Sequence, residues 1–167
     1  MTSDRGTIPF LFLKPGEMVL REEPMIVTTL LGSCVAVIMF SPRLRLGAIC
    51  HAVLPSCRKE MPCSHGHLDS GKYVECAIRS MLDGFLARGV AKNEIVVKLF
   101  GGSDMFDTAS VRSQSVGRQN MQMALRILEG QSVRVVTQDM GGQRGRKIIF
   151  HTHTGEVFLK RLRRSEI

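Results

Sequence analysis

Cys34 and His51 are the two residues of this chain whose types and placement suggest covalent chemistry. They lie on apolar, β-branched runs at 34–40 and 46–54, which the polar break Ser41-Pro42-Arg43 separates, and this pattern predicts an antiparallel hairpin. Serine and proline are favoured at the first two positions of a turn. A turn centred on the Pro-Arg peptide bond puts Cys34 directly opposite His51, which makes the thiol and the imidazole cross-strand neighbours.

A histidine beside a thiol can take its proton, and the resulting thiolate is the nucleophilic form of cysteine. Gly32 and Ser33 interrupt the β pattern just before Cys34. Glycine permits close backbone approach, so amide N–H groups of this segment are candidates for binding a developing oxyanion. The structural alternative is a buried cysteine beside a core histidine, since free cysteine is among the most buried residue types.

The length of 167 residues predicts a single domain over residues 1–167, with a loose N-terminal arm at 1–16 and a basic tail at 161–167. No apolar run approaches the roughly 18 residues of a membrane span. The first residues lack the order of a signal peptide, which predicts a cytoplasmic location and five cysteines present as free thiols.

The pattern of apolar residues predicts two main helices and several strands. The first helix is expected to run from a cap at Asp69 or Ser70 through Arg88, and the second over about 117–129. Further strands are predicted at 8–13, 18–20, 95–100, 133–138, 147–153 and 156–162. Because the strands around Cys34 are apolar on both faces, they are expected to be covered on both sides. The fold class is therefore α+β with mixed sheets.

A metal site is the main rival to the cysteine–histidine hypothesis. Thiols and imidazoles are concentrated downstream of the hairpin, and such groups suit zinc. The candidate ligands are Cys57, Cys63, His65 and His67, beside Cys50 and His51. Their spacing matches no recognised zinc pattern, so we predict a polar loop and no metal.

The glycine clusters at 101–103 and 141–146 lack a phosphate-binding signature, and no cofactor is predicted.

The net charge of +8 predicts an acidic partner. The chain has one tyrosine and no tryptophan, so it is poor in the aromatic platforms on which nucleic-acid bases stack. An acidic protein is therefore favoured over nucleic acid.

A resemblance extends over about residues 17–160. The ordered motifs resemble those of the CheD family, the chemoreceptor glutamine deamidases of bacterial chemotaxis. They are TTLLGSCVAV at 28–37, HAVLP at 51–55, Lys72-Tyr73 with Ala77-Ile78, KLFGG at 98–102 with Met105-Phe106, Gly117-Arg118 with Asn120, DMGG at 139–142 with GRK at 145–147, and Gly155.

The resemblance implies a layered α/β/β sandwich like that of cysteine-hydrolase toxins of the cytotoxic necrotizing factor type. It also implies hydrolysis of a glutamine side-chain amide to glutamate and ammonia. In this assignment Cys34 is the nucleophile and His51 the general base and acid. Thr28 is the residue whose hydroxyl orients the histidine, although its neighbour Thr29 remains an alternative. Gly32 and Ser33 would serve the oxyanion, and the glycine clusters would lie near the active cleft.

The expected partners are the cytoplasmic helices of methyl-accepting chemoreceptors, with a CheC-type phosphatase as a candidate second partner. The protein is expected to be a monomer without membrane insertion. Cys50 and Gln119 depart from the family pattern, in which Asn and Glu are usual. A non-catalytic partner of a CheC-type phosphatase or receptor is the first alternative function, and an intact Cys34, His51 and Thr28 argue against it. A basic metal- or nucleic-acid-binding protein is the second alternative.

Overall fold

The computed structural model describes residues 6–57, 71–105 and 114–166. Within these ranges the strands are β1 Phe10–Phe12, β2 Met18–Arg21, β3 Ile26–Leu31, β4 Val35–Ser41, β5 Leu46–Ala52, β6 Val96–Gly101, β7 Val135–Met140, β8 Arg146–His151 and β9 Val157–Arg161. The helices are α1 Val74–Ala87 and α2 Val116–Gly130, with short 3₁₀ turns at Lys92–Glu94 and Arg164–Glu166.

The described strands form two sheets. One has four strands in the order β1-β3-β8-β9, and the other has five in the order β2-β5-β4-β6-β7. Each sheet contains both parallel and antiparallel neighbours, since β1 runs parallel to β3 and β6 parallel to β7. The predicted mixed sheets are therefore confirmed.

Strands β4 and β5 lie at the centre of the molecule and are buried along their whole length. Because successive side chains of a strand point to opposite faces, they supply two cores. Val37, Met39 and Cys50 pack with the helices. Ile38 and Ile49 pack against the four-stranded sheet. The result is a helix layer, a five-stranded layer and a four-stranded layer, which confirms the expected α/β/β sandwich.

The register of the central hairpin differs from the predicted one by two positions. The ladder runs from Ser41 opposite Leu46 to Val35 opposite Ala52, so Ala36 rather than Cys34 faces His51. The prediction was wrong because the connection is a four-residue loop over 42–45, in which Arg45 takes a positive φ of 51°. A shift of two leaves every side chain on its predicted face, since the side-chain period of a strand is two.

The strand predicted at 8–13 is present as the shorter β1. Phe10–Phe12 pairs with β3, and the following Leu13 is fully buried between the sheets. The backbone N–H of Leu13 also donates to the Thr28 carbonyl at 2.8 Å. Leu13 is the residue of this segment that leaves water completely, whereas Phe10 and Phe12 remain exposed, so the hydrophobic gain comes mainly from Leu13.

The structure also tests the predicted helix N-termini and the predicted free thiols. Helix α1 begins after Tyr73, and the predicted caps at Asp69 and Ser70 lie outside the described residues. Ser115 caps helix α2, because its side chain accepts a hydrogen bond from the Arg118 N–H. Cys76 on α1 is disulfide-bonded, so the prediction of five free thiols is wrong. That prediction rested on the expected compartment, which carries no information about distances between sulfur atoms.

Among the described residues, no helix is long and apolar enough to cross a membrane.

We expect Gly47→Ala to destabilise the protein. Gly47 lies on β5 where the two sheets approach, and an added Cβ would clash with the backbone of Thr152, including its carbonyl oxygen. Overpacking of this kind typically costs about 1–3 kcal/mol in the free energy of unfolding. Urea denaturation should show a lower midpoint at an unchanged slope.

Gly130→Ala is the matched control, because an added Cβ there meets nothing within 4 Å and alanine favours the helix end of α2. Equal midpoints for the two variants would contradict the close approach at Gly47.

Candidate active site

His51 is the buried imidazole of the candidate site. It lies on β5, points between the two sheets and is 2% exposed. Its Nδ1 is 2.7 Å from the Oγ1 of Thr29, which lies on β3 in the other sheet. The Thr29 hydroxyl in turn donates to the Leu13 carbonyl at 2.8 Å. The ring is therefore held by residues from two further segments of the chain.

This chain of hydrogen bonds fixes the tautomer of His51. A threonine hydroxyl has one hydrogen, and here that hydrogen is directed to the Leu13 carbonyl. The contact with the ring must then be an Nδ1–H donating to the threonine oxygen. In a neutral imidazole the other nitrogen, Nε2, carries the free lone pair. His51 is thus prepared to accept a proton at Nε2.

The residue that contacts the ring is Thr29, and the expectation that Thr28 makes this contact is corrected. Neighbouring residues of a strand face opposite ways. Thr29 points into the space between the sheets, whereas the Thr28 hydroxyl donates to the Ile148 carbonyl of β8 at 2.9 Å. From the sequence alone either threonine could contact His51. Which of them does so depends on which face of β3 is turned toward the five-stranded sheet.

Cys34 stands immediately before β4 and is half-buried against the core between the sheets. Ala36, two residues on, faces His51 across the ladder. Because side chains two apart share a face, Cys34 and His51 lie on the same side of the five-stranded sheet as diagonal neighbours. Diagonal positions are typically about 7–8 Å apart along the backbone. The structure therefore brings the predicted pair to one side of the sheet, although not directly opposite each other.

The surroundings of both groups favour their neutral forms. Burial raises the pKa of the Cys34 thiol above its ordinary value. Burial also lowers the pKa of His51, and this outweighs the opposing effects of the Leu13 carbonyl and the Glu17 charge. A preformed thiolate–imidazolium pair is disfavoured on both counts. The structure instead supports a neutral thiol next to a neutral base.

The turn that carries Cys34 is tied down through its carbonyl groups. The Gly32 carbonyl accepts from the N–H of Ser103 at 3.0 Å and from its hydroxyl at 2.7 Å. The Cys34 carbonyl accepts from the Gly102 N–H at 2.9 Å. Gly101 has a φ of 107°, and an added Cβ would meet the Cys34 carbonyl oxygen. The predicted glycine cluster at 101–103 therefore directly supports the turn that carries Cys34.

Asn120 is a further residue of this region, which the sequence indicated only as part of a family motif. It is fully buried on α2, and its Nδ2 donates to the Ser33 carbonyl at 3.0 Å and to the Val53 carbonyl at 2.9 Å. Its Oδ1 has no hydrogen-bond partner among the described residues. Sequence reasoning had no signal for these contacts, since α2 is remote from Ser33 along the chain.

The residues of the alternative metal site are only partly described. Cys57 is half-buried with a free thiol, and Cys63, His65 and His67 lie outside the described residues. Cys50 lies in the core beneath the helices, where burial raises its pKa to about 12. In the parts of the chain that are described, no group of three or more histidine, cysteine or acidic residues could hold a metal ion.

Comparison with known proteins identifies the family. The family model described as "CheD chemotactic sensory transduction" matches residues 54–161. The chain belongs to the CheD family.

Similarity to individual CheD proteins extends over nearly the whole chain. A probable chemoreceptor glutamine deamidase, CheD 2, of Geobacter sulfurreducens is 44% identical over 99% of this chain and 98% of its own length. A probable chemoreceptor glutamine deamidase CheD of Maridesulfovibrio salexigens is 41% identical, with 97% of each chain covered. The counterpart from Nitratidesulfovibrio vulgaris is 37% identical over 93% of this chain and 79% of its own. The resemblance read from the ordered motifs is thus confirmed.

The neutral state of the pair predicts the pH dependence of Cys34 alkylation. Because burial raises the thiol pKa, iodoacetamide should react slowly near pH 7 and faster as the pH rises past about 8.5, the ordinary thiol value. Peptide mapping by mass spectrometry would follow Cys34 separately from the other thiols. Reduced glutathione is the reference, and its rate should rise at lower pH than that of Cys34. A reaction rate that is already at its plateau below pH 7 would instead indicate a preformed thiolate.

Proposed function

We propose that this protein is a glutamine deamidase that hydrolyses side-chain amides of chemoreceptors to glutamate and ammonia. The observation that carries the proposal is the buried His51, whose Nδ1–H is anchored to Thr29 on the same side of the sheet as Cys34. The relatives of similar length, which are named probable chemoreceptor glutamine deamidases, support the choice of substrate.

In the proposed first step, Nε2 of His51 takes the Sγ–H proton of Cys34 as the sulfur attacks the carboxamide carbon. The carbonyl electrons move to oxygen, and backbone N–H groups of the Gly32-Ser33-Cys34 turn stabilise this oxyanion. When the tetrahedral intermediate collapses, the imidazolium gives its proton to the departing nitrogen. Ammonia leaves, and the glutamine carbon remains on Cys34 as a thioester.

In the second step, water attacks the thioester while Nε2 of His51 accepts one of its protons. The sulfur leaves and recovers that proton, which restores the neutral pair and yields the carboxylic acid, and this acid ionises to glutamate by giving its proton to water. Thr29 serves as the positioning residue in both steps, because an anchored Nδ1–H keeps Nε2 unprotonated and directed away from the anchor. We assign this role to Thr29 in place of Thr28.

The proposed substrates are the cytoplasmic helices of methyl-accepting chemoreceptors, so the protein would act in the cytoplasm. We also propose that it is a monomer with a single domain over residues 1–167. The charge of +8 suits acidic, glutamate-rich helices. A CheC-type phosphatase is the proposed second partner. The chemistry described above requires neither a metal nor a nucleic acid.

Replacing the nucleophile tests the function. Purified Cys34→Ala should leave the mass of a receptor cytoplasmic fragment unchanged, whereas the unmodified enzyme should add about one dalton per glutamine converted through the thioester route. Cys57→Ala is the matched control, since Cys57 is also a half-buried free thiol and should keep full activity. Conversion by Cys34→Ala at the unmodified rate would refute the proposed mechanism.

A pair of isosteric threonine variants tests the positioning of the base. Thr29→Val removes the partner of Nδ1–H and should lower kcat about ten- to hundredfold, less than the roughly 10²–10⁴-fold that loss of a general base costs in His51→Ala. Thr28→Val removes only the bond to Ile148 and should change kcat little. Equal losses in both variants, or a larger loss at Thr28, would reverse the assignment. The kcat values would come from ammonia release under saturating substrate.

A further inference from the structure

We infer that Asn120 is a positioning residue of the active site, and that it aims the backbone N–H of Cys34 at the oxygen of the reacting amide. This inference rests on the proposed function and deepens it, because it names what orients the oxyanion donor. It concerns a residue of α2, on the opposite side of the five-stranded sheet from His51.

Asn120 acts where the central hairpin opens. The last pair of the β4–β5 ladder is Val35 with Ala52, and beyond it the two chains separate. The Asn120 carboxamide bridges that opening, since its NH₂ group donates to the carbonyl of Ser33 on one side and of Val53 on the other. Ser33 directly precedes the nucleophile, and Val53 follows His51 by two residues. One side chain thus links the ends of the strands that carry both reacting groups.

The geometry of the peptide unit connects Asn120 to the Cys34 N–H. In a planar trans peptide, the carbonyl of one residue and the N–H of the next point in opposite directions. No cis peptide bond occurs among the described residues. Asn120 holds the Ser33 carbonyl toward the helix layer, so the N–H of Cys34 must point away from that layer. Ser103 holds the Gly32 carbonyl in the same manner and thereby fixes the N–H of Ser33.

Both of these N–H groups are available to a ligand. Among the described residues, neither the Ser33 nor the Cys34 N–H donates to a protein acceptor. Ser33 is exposed and Cys34 half-buried, so this turn lies at the surface of the protein. Backbone donors of this kind, held rigidly next to a nucleophile, form an oxyanion hole.

The Oδ1 of Asn120 has no hydrogen-bond partner among the described residues, which indicates that stability alone does not account for this residue. A buried acceptor without a hydrogen bond is unfavourable, and buried polar groups are normally satisfied. The carboxamide keeps this unfavourable oxygen while both hydrogens of its NH₂ group bind the carbonyls that flank the reacting pair. Its specific contribution is therefore two correctly placed donors.

Asn120→Asp is the most direct test, because it keeps the shape and replaces the donating NH₂ group by oxygen. We expect kcat for deamidation of a receptor fragment to fall about 10²–10³-fold, the usual effect of losing one oxyanion-hole donor, while KM changes little. The rate of Cys34 alkylation by iodoacetamide should stay within about twofold, because that displacement at a saturated carbon forms no oxyanion. A loss confined to kcat distinguishes positioning from a merely structural role.

Three further variants serve as controls for Asn120→Asp. Asn93→Asp makes the same change at the only other asparagine, which is exposed on the 3₁₀ turn Lys92–Glu94, and it should leave activity unchanged. Asn120→Ala removes the donors without adding charge and replaces Asn120→Asp if the latter does not fold. Ser103→Ala should cost less than either, because the backbone N–H of residue 103 still holds the Gly32 carbonyl.

The inference is overturned if kcat of the Asn120 variants is unchanged, or if kcat and the alkylation rate fall together. The Cys34→Ala protein, assayed in parallel, separates this inference from the proposed function. Activity in Cys34→Ala would refute the proposed mechanism itself. An inactive Cys34→Ala beside a fully active Asn120→Asp would refute only the role of Asn120.

Discussion

The hydrogen bond from Nδ1–H of His51 to Thr29 is the interaction on which the candidate site depends. It crosses from the five-stranded sheet to the four-stranded sheet and continues to the Leu13 carbonyl. A buried imidazole has little access to water, so the protein itself must supply the partner that selects its tautomer. The tautomer of His51 is therefore set only when both sheets and the segment after β1 have packed together. This dependence explains why a short strand near the N-terminus, Phe10–Phe12, matters for a site formed by β4 and β5.

A second constraint acts on Cys34, the proposed nucleophile, from the opposite side of the same sheet. The carbonyl groups of Gly32, Ser33 and Cys34 each accept a hydrogen bond, either from the segment that directly follows β6 or from α2. Gly102, with a φ of 65°, can take the left-handed conformation that lets its N–H reach Cys34. The two constraints together place His51 and Cys34 by contacts with separate layers, so neither sheet alone would form the candidate site.

Sequence reasoning succeeded where local patterns suffice. The two helices, the hairpin and the placement of Cys34 and His51 on one side followed from apolar periodicity, which is insensitive to a register shift of two. The predicted cross-strand partner of His51 was wrong because the pairing depends on loop length. Arg45, with its positive φ, belongs to a loop that is longer than predicted. The choice between Thr28 and Thr29 depends on which face of β3 meets the other sheet, a tertiary property. The contacts of Asn120 likewise join residues that no local pattern connects.

Because the resting pair is neutral, the proposed reaction develops its charges only as the sulfur attacks. Cys34 and His51 both lie where burial disfavours their ionised forms, so the imidazolium appears only as the sulfur attacks. The oxyanion develops at the same moment. The Thr29 anchor and the N–H groups of the nucleophile turn therefore act on charges that exist in the transition state and are nearly absent from the ground state. Interactions of this kind raise kcat, because they stabilise the transition state more than the bound substrate.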